Sequence, residues 1–424
     1  MLFCIANDPR VDPQIERRER YYGELALALE LPCSEILLLA INKADGTLAP
    51  SVLAEMAARG NREAFTLLTD PDAHLPLALE MADYLRDYPI WAAQFLPFPV
   101  IQRLAEHGIA RGDLDYDVEV HAPFWQHFDR RLPAVADAFA RNATATAAEQ
   151  SQRTELADPA KAPTELLLDS LDETPSSRVT EELSHRRSLL DRALLAWRVE
   201  HDASVPRRHA AARALGAMQD LRLLELAEAT FQSEDDLSDP ARTLPIEDRQ
   251  RRTALLAYVL KLPAKITLPL ARRWWGDGRF LRTAAGRILE LHAEPEDREW
   301  LTEFVARTLQ HDSGLEMAFE IDALVHIGDR RSLAVLQSVT RQAACSWTRT
   351  RALLGLARHP DDPLAHPELA DALWDCESEA RELGCRYATI SIEEGRRRCG
   401  QLAADPIEED SVREAAAERL NTGK

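Results

Sequence analysis

The chain has 424 residues, of which 46% are hydrophobic and 29% are charged, and its formal net charge is −20. This composition is that of a globular protein, and the length predicts two or three domains or one extended array. The excess of acidic residues argues against a general nucleic-acid binder, because neutralising phosphates requires a basic face.

The cysteines and the first residues indicate a reducing compartment and no membrane anchor. The six cysteines are spread over the chain and form no Cys-x-x-Cys pair, so free thiols are expected rather than a disulfide framework or a zinc site. The apolar start ends at Asn7 and has no basic residues before it, which does not fit a signal peptide. No apolar run approaches the ~18 residues that a membrane span requires. We therefore predict a cytoplasmic protein with no membrane contact.

Helix-forming residues dominate the chain, and glycines, asparagines and prolines divide it into short segments. Gly60 and Asn61 predict a helix end followed by a helix start, since glycine suits a left-handed exit and asparagine caps the next helix. Further along, Leu190, Leu194 and Trp197 recur at helical spacing among charged residues. That period predicts a helix that buries one apolar stripe. Segments of about 10 to 18 residues between such breaks are typical of helix-turn-helix repeats.

The helical pattern lapses between residues 140 and 178, where an Ala/Thr/Gln-rich stretch is followed by closely spaced prolines. We interpret residues 141–178 as a linker or a long irregular loop, with one short helix at 164–171. This predicts an N-terminal helical domain over 1–140, with less regular repeats, and a C-terminal helical domain over 179–424.

Two segments of the C-terminal half carry a repeat pattern. Residues 321–336 read IDALVHIGDRRSLAVL, in which an Ala/Leu-rich helix ends at Gly328-Asp329 before a second helix, and residues 411–420 read SVREAAAERL. The pattern resembles the HEAT-like repeat of the bilin-lyase-like superfamily. The resemblance implies an all-α fold whose helix pairs stack into an α-solenoid. Within the motif, Gly328 permits a left-handed exit and Asp329 offers a carboxylate to the following helix.

One segment of this acidic chain is basic. Residues 241–290, here called the basic segment, contain eleven Lys or Arg against four Asp or Glu, with aromatic residues interleaved. Arginine beside an aromatic face can hold a phosphate, a carboxylate or a stacked base. The candidate ligand-binding residues are Arg249, Arg251, Arg252, Arg272, Arg273, Trp274, Trp275, Arg282 and Arg287. The alternative, which we favour, is that a tryptophan lies in the core and that the arginines pair with neighbouring acidic helices.

No catalytic residue, metal site or cofactor is predicted. Residues 42–48 match a calcium loop only at Asp45-Gly46, since Lys43 and Val52 stand where acidic ligands are needed, so we interpret the segment as a turn. The histidines lack the spacing of a metal site. Residues 87–99 carry three prolines among aromatic residues, which predicts a loop packed over the core or an exposed recognition element.

The expected function is that of a non-catalytic protein-interaction module or adaptor that uses the surface of a helical-repeat solenoid. The acidic surface predicts a protein partner with a basic surface, and a nucleic-acid partner is not expected. A second hypothesis, raised by the resemblance, is a lyase-like or chaperone-like enzyme acting on a cofactor-bearing protein. A third is a binder of a phosphate-containing ligand through residues 249–287. The repeat itself contains no catalytic group, so the hypothesis of an enzymatic function stays open but is not favoured.

Overall fold

The structure is a computed structural model. It describes residues 1–6, 18–42, 48–69, 71–86, 96–112, 114–152, 160, 162–171, 177–232, 246–276, 279–310, 317–388, 393–405 and 407–422. Within these ranges every regular element is helical and no strand is present. The prediction of an all-α protein is therefore confirmed.

The helices are short, and three 3-10 turns join some of them within the described ranges. In chain order the α-helices are α1 (Leu2–Ala6), α2 (Arg18–Ala28), α3 (Cys33–Asn42), α4 (Ala49–Ala58), α5 (Arg62–Thr69), α6 (Pro71–Leu85), α7 (Phe98–Arg111), α8 (Leu114–Val120), α9 (Ala122–Trp125), α10 (Pro133–Gln152), α11 (Thr164–Asp169), α12 (Ser177–Ser184), α13 (Leu189–His201), α14 (Val205–Ala217), α15 (Leu224–Gln232), α16 (Ile246–Val259), α17 (Ala264–Trp274), α18 (Arg279–His292), α19 (Arg298–Thr308), α20 (Ala318–Ile327), α21 (Leu333–Gln342), α22 (Ser346–Ala357), α23 (His366–Asp371), α24 (Ser378–Tyr387), α25 (Glu393–Ala404) and α26 (Asp410–Thr422). The 3-10 turns are Pro295–Asp297, Arg330–Ser332 and Ala372–Trp374.

Local residue choice explains where several helices end. Gly60 has a φ of +89°, and the Asn61 Oδ1 atom accepts the Ala64 N–H at 3.0 Å, which confirms the predicted turn between α4 and α5. Helix α20 ends at Gly328, whose φ is +66° and whose N–H bonds to the Leu324 carbonyl at 3.1 Å. The left-handed exit predicted for that glycine is therefore present.

The chain forms two compact units. Unit 1 comprises Met1–Thr146, Ala306–Glu316 and Arg330–Lys424, and unit 2 comprises Ala147–Val305 and Met317–Asp329. Unit 1 is thus discontinuous in sequence, because the last helices of the chain pack with the first ones.

These units group the residues differently from the predicted domains, since 330–424 belongs with 1–146. Part of the predicted linker is also helical. Helix α10 continues without a break through residues 141–152, and α11 lies where a short helix was predicted at 164–171. Alanine-rich sequence favours helix strongly enough to carry α10 past the predicted boundary.

Unit 1 is built from helices that pack on their neighbours along the chain. Helices α2 and α3 pack on α4, which in turn contacts α5 and α6. In the last part of the chain, α22 packs on α21 and α24, and α26 packs on α24 and α25. The hydrophobic core of the N-terminal helices includes Ile407, which precedes α26 in the chain. The two ends of the chain therefore share one core.

In unit 2, α14 packs on α13 and α16, and α18 packs on α17 and α20. The crossing of α14 and α16 is close, because a Cβ atom on Gly216 would lie only 2.4 Å from the Tyr258 carbonyl oxygen. Tyr258 is buried there and donates its hydroxyl proton to the Asp220 carbonyl at 2.6 Å. A residue without a side chain is thus required at this contact.

The predicted apolar stripe of α13 is not buried. Leu190 is 84% exposed and Trp197 is 52% exposed, while the residues that α13 buries are Leu195, Ala196 and Val199. The reason is that α13 packs on α14 through a different face, which also repeats at a spacing of four. The prediction that the Leu190–Trp197 stripe lies in the core was therefore wrong.

An aspartate recurs in the turns that precede or follow helices. In each case its carboxylate accepts the backbone N–H two residues later, at 2.9–3.2 Å, and also pairs with an arginine. These aspartates are Asp202, Asp220, Asp362, Asp375 and Asp405, paired with Arg198, Arg222, Arg330, Arg349 and Arg59 respectively. Such Asx turns fix the loop backbone, and the ion pair with arginine holds the carboxylate in place.

Candidate functional site

The predicted ligand-binding residues lie on or next to three consecutive helices of unit 2. Acidic side chains bind two of them, Arg272 and Arg273. Arg272 donates through Nε to the Asp297 carboxylate at 2.7 Å and through Nη2 to Glu294 at 2.8 Å. These bonds raise the pKa of Arg272 above its usual value. The pKa of Asp297 is lowered, because hydrogen bonds from Arg272 and the Glu294 N–H outweigh its burial.

Glu228 contacts the next two predicted residues, Arg273 and Trp274. It forms an ion pair with Arg273 and accepts the indole N–H of Trp274 at 3.0 Å. The Trp274 ring is buried and meets Phe231 edge-on, with the ring centroids 5.9 Å apart. Trp274 is thus a core residue whose single polar atom is satisfied.

Trp275 lies in a half-buried aromatic cluster. Its ring centroid is 4.9 Å from those of both Trp300 and Phe304. The Arg282 guanidinium lies 4.5 Å from the Phe304 centroid, and its Nε atom is 4.0 Å from the Glu320 carboxylate. The protein's own arginine therefore covers the exposed aromatic faces.

The other predicted arginines are separate from this cluster. Arg287 pairs with Glu290 at 2.9 Å and lies over the Phe319 ring, and Arg251 is 3.7 Å from the Asp248 carboxylate. Arg249 is exposed, whereas Arg252 is buried. The nine predicted residues thus take part in several separate contacts. Of the other predicted segments, residues 43–47 and 87–95 lie outside the described residues.

Unit 1 contains two adjoining cavities that sequence analysis did not predict. Their volumes are about 450 Å³ and about 580 Å³, and Tyr21 and Trp374 line both of them. Tyr21 lies on α2 and is 42% exposed, while Trp374 ends the 3-10 turn before α24 and is 38% exposed. We call the two cavities with their shared aromatic pair the aromatic groove.

The smaller cavity combines apolar walls with a charged base. Leu25 and Leu27 of α2 line it, together with Glu24, Arg59 and Arg398, and its remaining lining residues are Tyr21, Ala28, Trp374, Gln401 and Asp405. The Glu24 carboxylate bridges Arg59 at 3.0 Å and Arg398 at 2.9 Å. Arg59 also bonds to Asp405 at 2.9 Å, and these partners raise its pKa although burial alone would lower it. The arginines at this base are thus neutralised by the carboxylates beside them.

The larger cavity presents a carboxylate that stays available. Asp371 and Asp375 line it with Arg349, but Asp375 is engaged, because it accepts the Glu377 N–H at 3.0 Å and faces Arg349 at 3.4 Å. The Asp371 carboxylate is exposed and makes no hydrogen bond or ion pair with the described residues. Partial burial and the nearby Glu368 raise the pKa of Asp371 by more than the charge of Arg341 lowers it.

A buried ion network lies next to the residues that line the aromatic groove. Glu408 accepts two hydrogen bonds from Arg381, at 2.8 and 2.9 Å, and lies 3.1 Å from the Arg20 guanidinium. All three side chains are nearly inaccessible to solvent. Arg381 also donates to the carbonyls of Asp375 and Cys376, so the network positions the chain that carries Trp374.

Compared with protein families, with curated proteins and with solved structures, the chain gives no match. The groove must therefore be understood from its own chemistry. Its one thiol, Cys376, is held protonated, because burial and the adjacent Asp375 raise its pKa. Among the described residues, no group of three or more His, Cys, Asp and Glu side chains is placed to hold a metal ion. What the groove offers is aromatic faces, fixed ion pairs and one available carboxylate.

None of these groove residues forms a local sequence motif. Tyr21 and Trp374 come from opposite ends of the chain, and the arginines between them are equally dispersed. The only local signal is the turn at Asp375, an acidic residue three positions before helix α24, which is too common to identify a site. Separately, no described helix has the length and apolarity to cross a membrane.

Proposed function

We propose that this chain is a non-catalytic protein-binding module and that its aromatic groove receives a basic segment of a partner protein. The observation that carries the proposal is the position of Tyr21 and Trp374. Both rings are partly exposed, both line two adjoining cavities, and the unpaired carboxylate of Asp371 lies in the same lining.

The composition of the groove is that of a protein-interaction hot spot. Trp, Tyr and Arg contribute most to measured binding energies, and they do so in pockets from which water is removed. A Lys or Arg side chain placed over a Tyr or Trp face gains about 0.5–1 kcal/mol, and about 2 kcal/mol when desolvated. A basic side chain that lies on Trp374 and reaches Asp371 would combine this gain with a charge-assisted hydrogen bond.

The charge of the whole chain favours the same partner. A net charge of −20 attracts basic segments and speeds their association, especially at low ionic strength. We propose that this long-range field brings the segment to the protein and that the aromatic groove determines where it binds. Binding should therefore weaken as salt is added, since the Debye length falls to about 8 Å at physiological ionic strength.

We further propose that the helices stack as HEAT-like repeats, which would make the groove part of a repeat surface. In both units, helices pack on the next helix and on the next but one, as successive hairpins do. Arginine–acid hydrogen bonds that join residues 25 to 32 positions apart recur along the chain, as contacts between successive helix pairs would. The pairs are Arg272–Asp297, Arg298–Asp329, Arg330–Asp362, Arg349–Asp375 and Arg381–Glu408.

The phosphate-binding alternative through residues 249–287 is less favoured. A phosphate would have to displace Asp297 and Glu294 from Arg272, and Glu228 from Arg273. Only Arg249 among the predicted arginines is exposed without an ion pair in the described chain. A single exposed arginine is a weak phosphate site.

A peptide array tests the proposal. The purified chain is applied to an array of short peptides that vary independently in charge and aromatic content. We expect bound peptides to carry Lys or Arg next to an apolar residue, and we expect Trp374→Ala to remove this binding. Asp371→Asn should weaken binding of the same peptides by about tenfold, because a charge-assisted bond is lost.

The matched control is Tyr116→Ala, which removes an exposed aromatic side chain of unit 1 away from the groove. It should leave the bound peptides and their affinities unchanged. Selection of acidic peptides by the native chain, or an unchanged binding profile for Trp374→Ala, would contradict the proposed function.

A further inference from the structure

Helix α13 of unit 2 presents an apolar surface to solvent. Leu189 is 78% exposed, and Leu190 and Trp197 lie seven residues apart on the exposed side of the helix. Leu166, on the neighbouring helix α11, is exposed as well. Large exposed side chains gathered in one place are uncommon in a protein that acts alone, and they mark contact surfaces.

The polar residues beside this surface are bonded to other residues of the same unit. Asp191 accepts the Thr164 hydroxyl at 2.5 Å and the Ser188 hydroxyl at 2.5 Å. Arg198 bonds to Asp202 at 3.0 Å, and the His201 ring stacks on Trp197 with centroids 5.2 Å apart. Helix α11 lies alongside, because its first residue meets Asp191 and its last meets Arg198 at 3.6 Å. These internal bonds leave the exposed leucines and Trp197 as the main features of the surface.

Two charged residues flank this surface. Arg187 immediately precedes the helix and Glu200 lies in its last turn, and neither makes an ion pair within the described residues. If two copies of α13 lie antiparallel and cross between Ala193 and Leu194, Arg187 of one copy faces Glu200 of the other. In the same register Leu190 faces Trp197, and the small Ala193 lies at the crossing, where helices approach most closely.

We propose that a second copy of this chain binds the α13 surface, so that two copies pair about a twofold axis near Ala193–Leu194. One face is then complementary to itself in charge and in shape, as a twofold contact requires. The helix is about 20 Å long, so the contact is small by the standard of stable interfaces. The dimer should accordingly be weak, with a Kd on the order of micromolar to tens of micromolar.

Sedimentation velocity of the full chain, from about 1 µM to roughly 200 µM, tests the proposal. We expect a concentration-dependent shift from monomer to dimer. Leu190→Glu should weaken the dimer more than about a hundredfold, because each copy loses an apolar contact and gains an unpaired charge. Leu354→Glu is the matched control, since Leu354 is an exposed leucine on α22 of unit 1.

A charge reversal distinguishes this register from other ways of pairing. Arg187→Glu and Glu200→Arg should each weaken the dimer about tenfold, and the double variant should recover it. All these positions are at the surface, so circular dichroism should show native helix content in every variant. A native chain that stays monomeric over the whole range would overturn the proposal, and so would a dimer that Leu190→Glu leaves intact. Failure of the double variant to recover would overturn the antiparallel register.

Discussion

Replacing Glu408 by glutamine tests whether the buried ion network holds the two ends of the chain together. The native carboxylate is inaccessible to solvent, receives two hydrogen bonds from Arg381 and lies 3.1 Å from Arg20. Glutamine has almost the same shape but no charge. The substitution therefore removes the counter-ion of Arg381 and the nearer of two carboxylates beside Arg20, the other being Asp405 at 3.9 Å, at almost constant packing.

The expected loss is large for a single substitution. Removing one partner of a buried ion pair costs about 3–5 kcal/mol, because the remaining charge is left desolvated. Both arginines keep backbone acceptors, since Arg381 also bonds to the Asp375 and Cys376 carbonyls and Arg20 bonds to that of Ile407. We therefore expect the lower end of that range, about 3 kcal/mol, against a typical total of about 5–15 kcal/mol.

Urea unfolding followed by circular dichroism measures this loss as a shift of the midpoint at constant slope. Glu409→Gln is the matched control, because it removes the same charge from an exposed neighbour and should cost less than about 0.5 kcal/mol. A loss below about 1 kcal/mol for Glu408→Gln, or equal losses for both variants, would refute the argument that the network carries this stability.

Three further predictions concern packing and pH. Gly216→Ala should destabilise by about 1–3 kcal/mol in the same assay, because its Cβ meets the Tyr258 backbone, whereas Gly400→Ala, with open space around it, should stabilise by about 0.5–1 kcal/mol. The pKa of Asp297 is lower in the folded protein than in the unfolded chain, so its ionised form stabilises the fold. This stabilisation is complete above about pH 4 and is lost as the pH falls through the folded-state pKa. Asp297→Asn should therefore make the free energy of unfolding depend less on pH in the acid range. The pKa of Asp371 is raised, so its carboxylate becomes protonated at a higher pH than an ordinary aspartate does. Binding of basic peptides should therefore weaken at that higher pH as the solution is acidified. Asp371→Asn should remove this pH dependence in a fluorescence titration.

The sequence was sufficient for the features that short-range chemistry decides. Helix-forming residues predicted the all-α fold, and Gly60 and Gly328 predicted left-handed helix exits that the structure shows. Which face of α13 is buried was not predictable in the same way. Its stripe Leu190–Trp197 and its buried face both have helical spacing, and only the position of α14 selects between them.

The basic segment shows why charge counted in a window is a poor guide to a binding site. Glu228, Glu294, Asp297 and Glu320, which face its arginines, all lie outside residues 241–290. They reach the arginines only because other helices bring them there. The aromatic groove was missed for the corresponding reason, since its two rings become neighbours only when the chain has folded.

The pairing of Arg20 with residues near the other end has a consequence for synthesis. The Ile407 carbonyl that accepts from Arg20 is made 387 positions later, which at about 5–20 residues per second is roughly 20–80 s. All of unit 2 leaves the ribosome within that interval, because its sequence is inserted between the parts of unit 1. Unit 2 can thus fold while Arg20 of α2 is still solvated and the core around α2 is incomplete. The nascent chain is therefore most exposed to chaperones and proteases at its N-terminal helices, the ones made first and completed last.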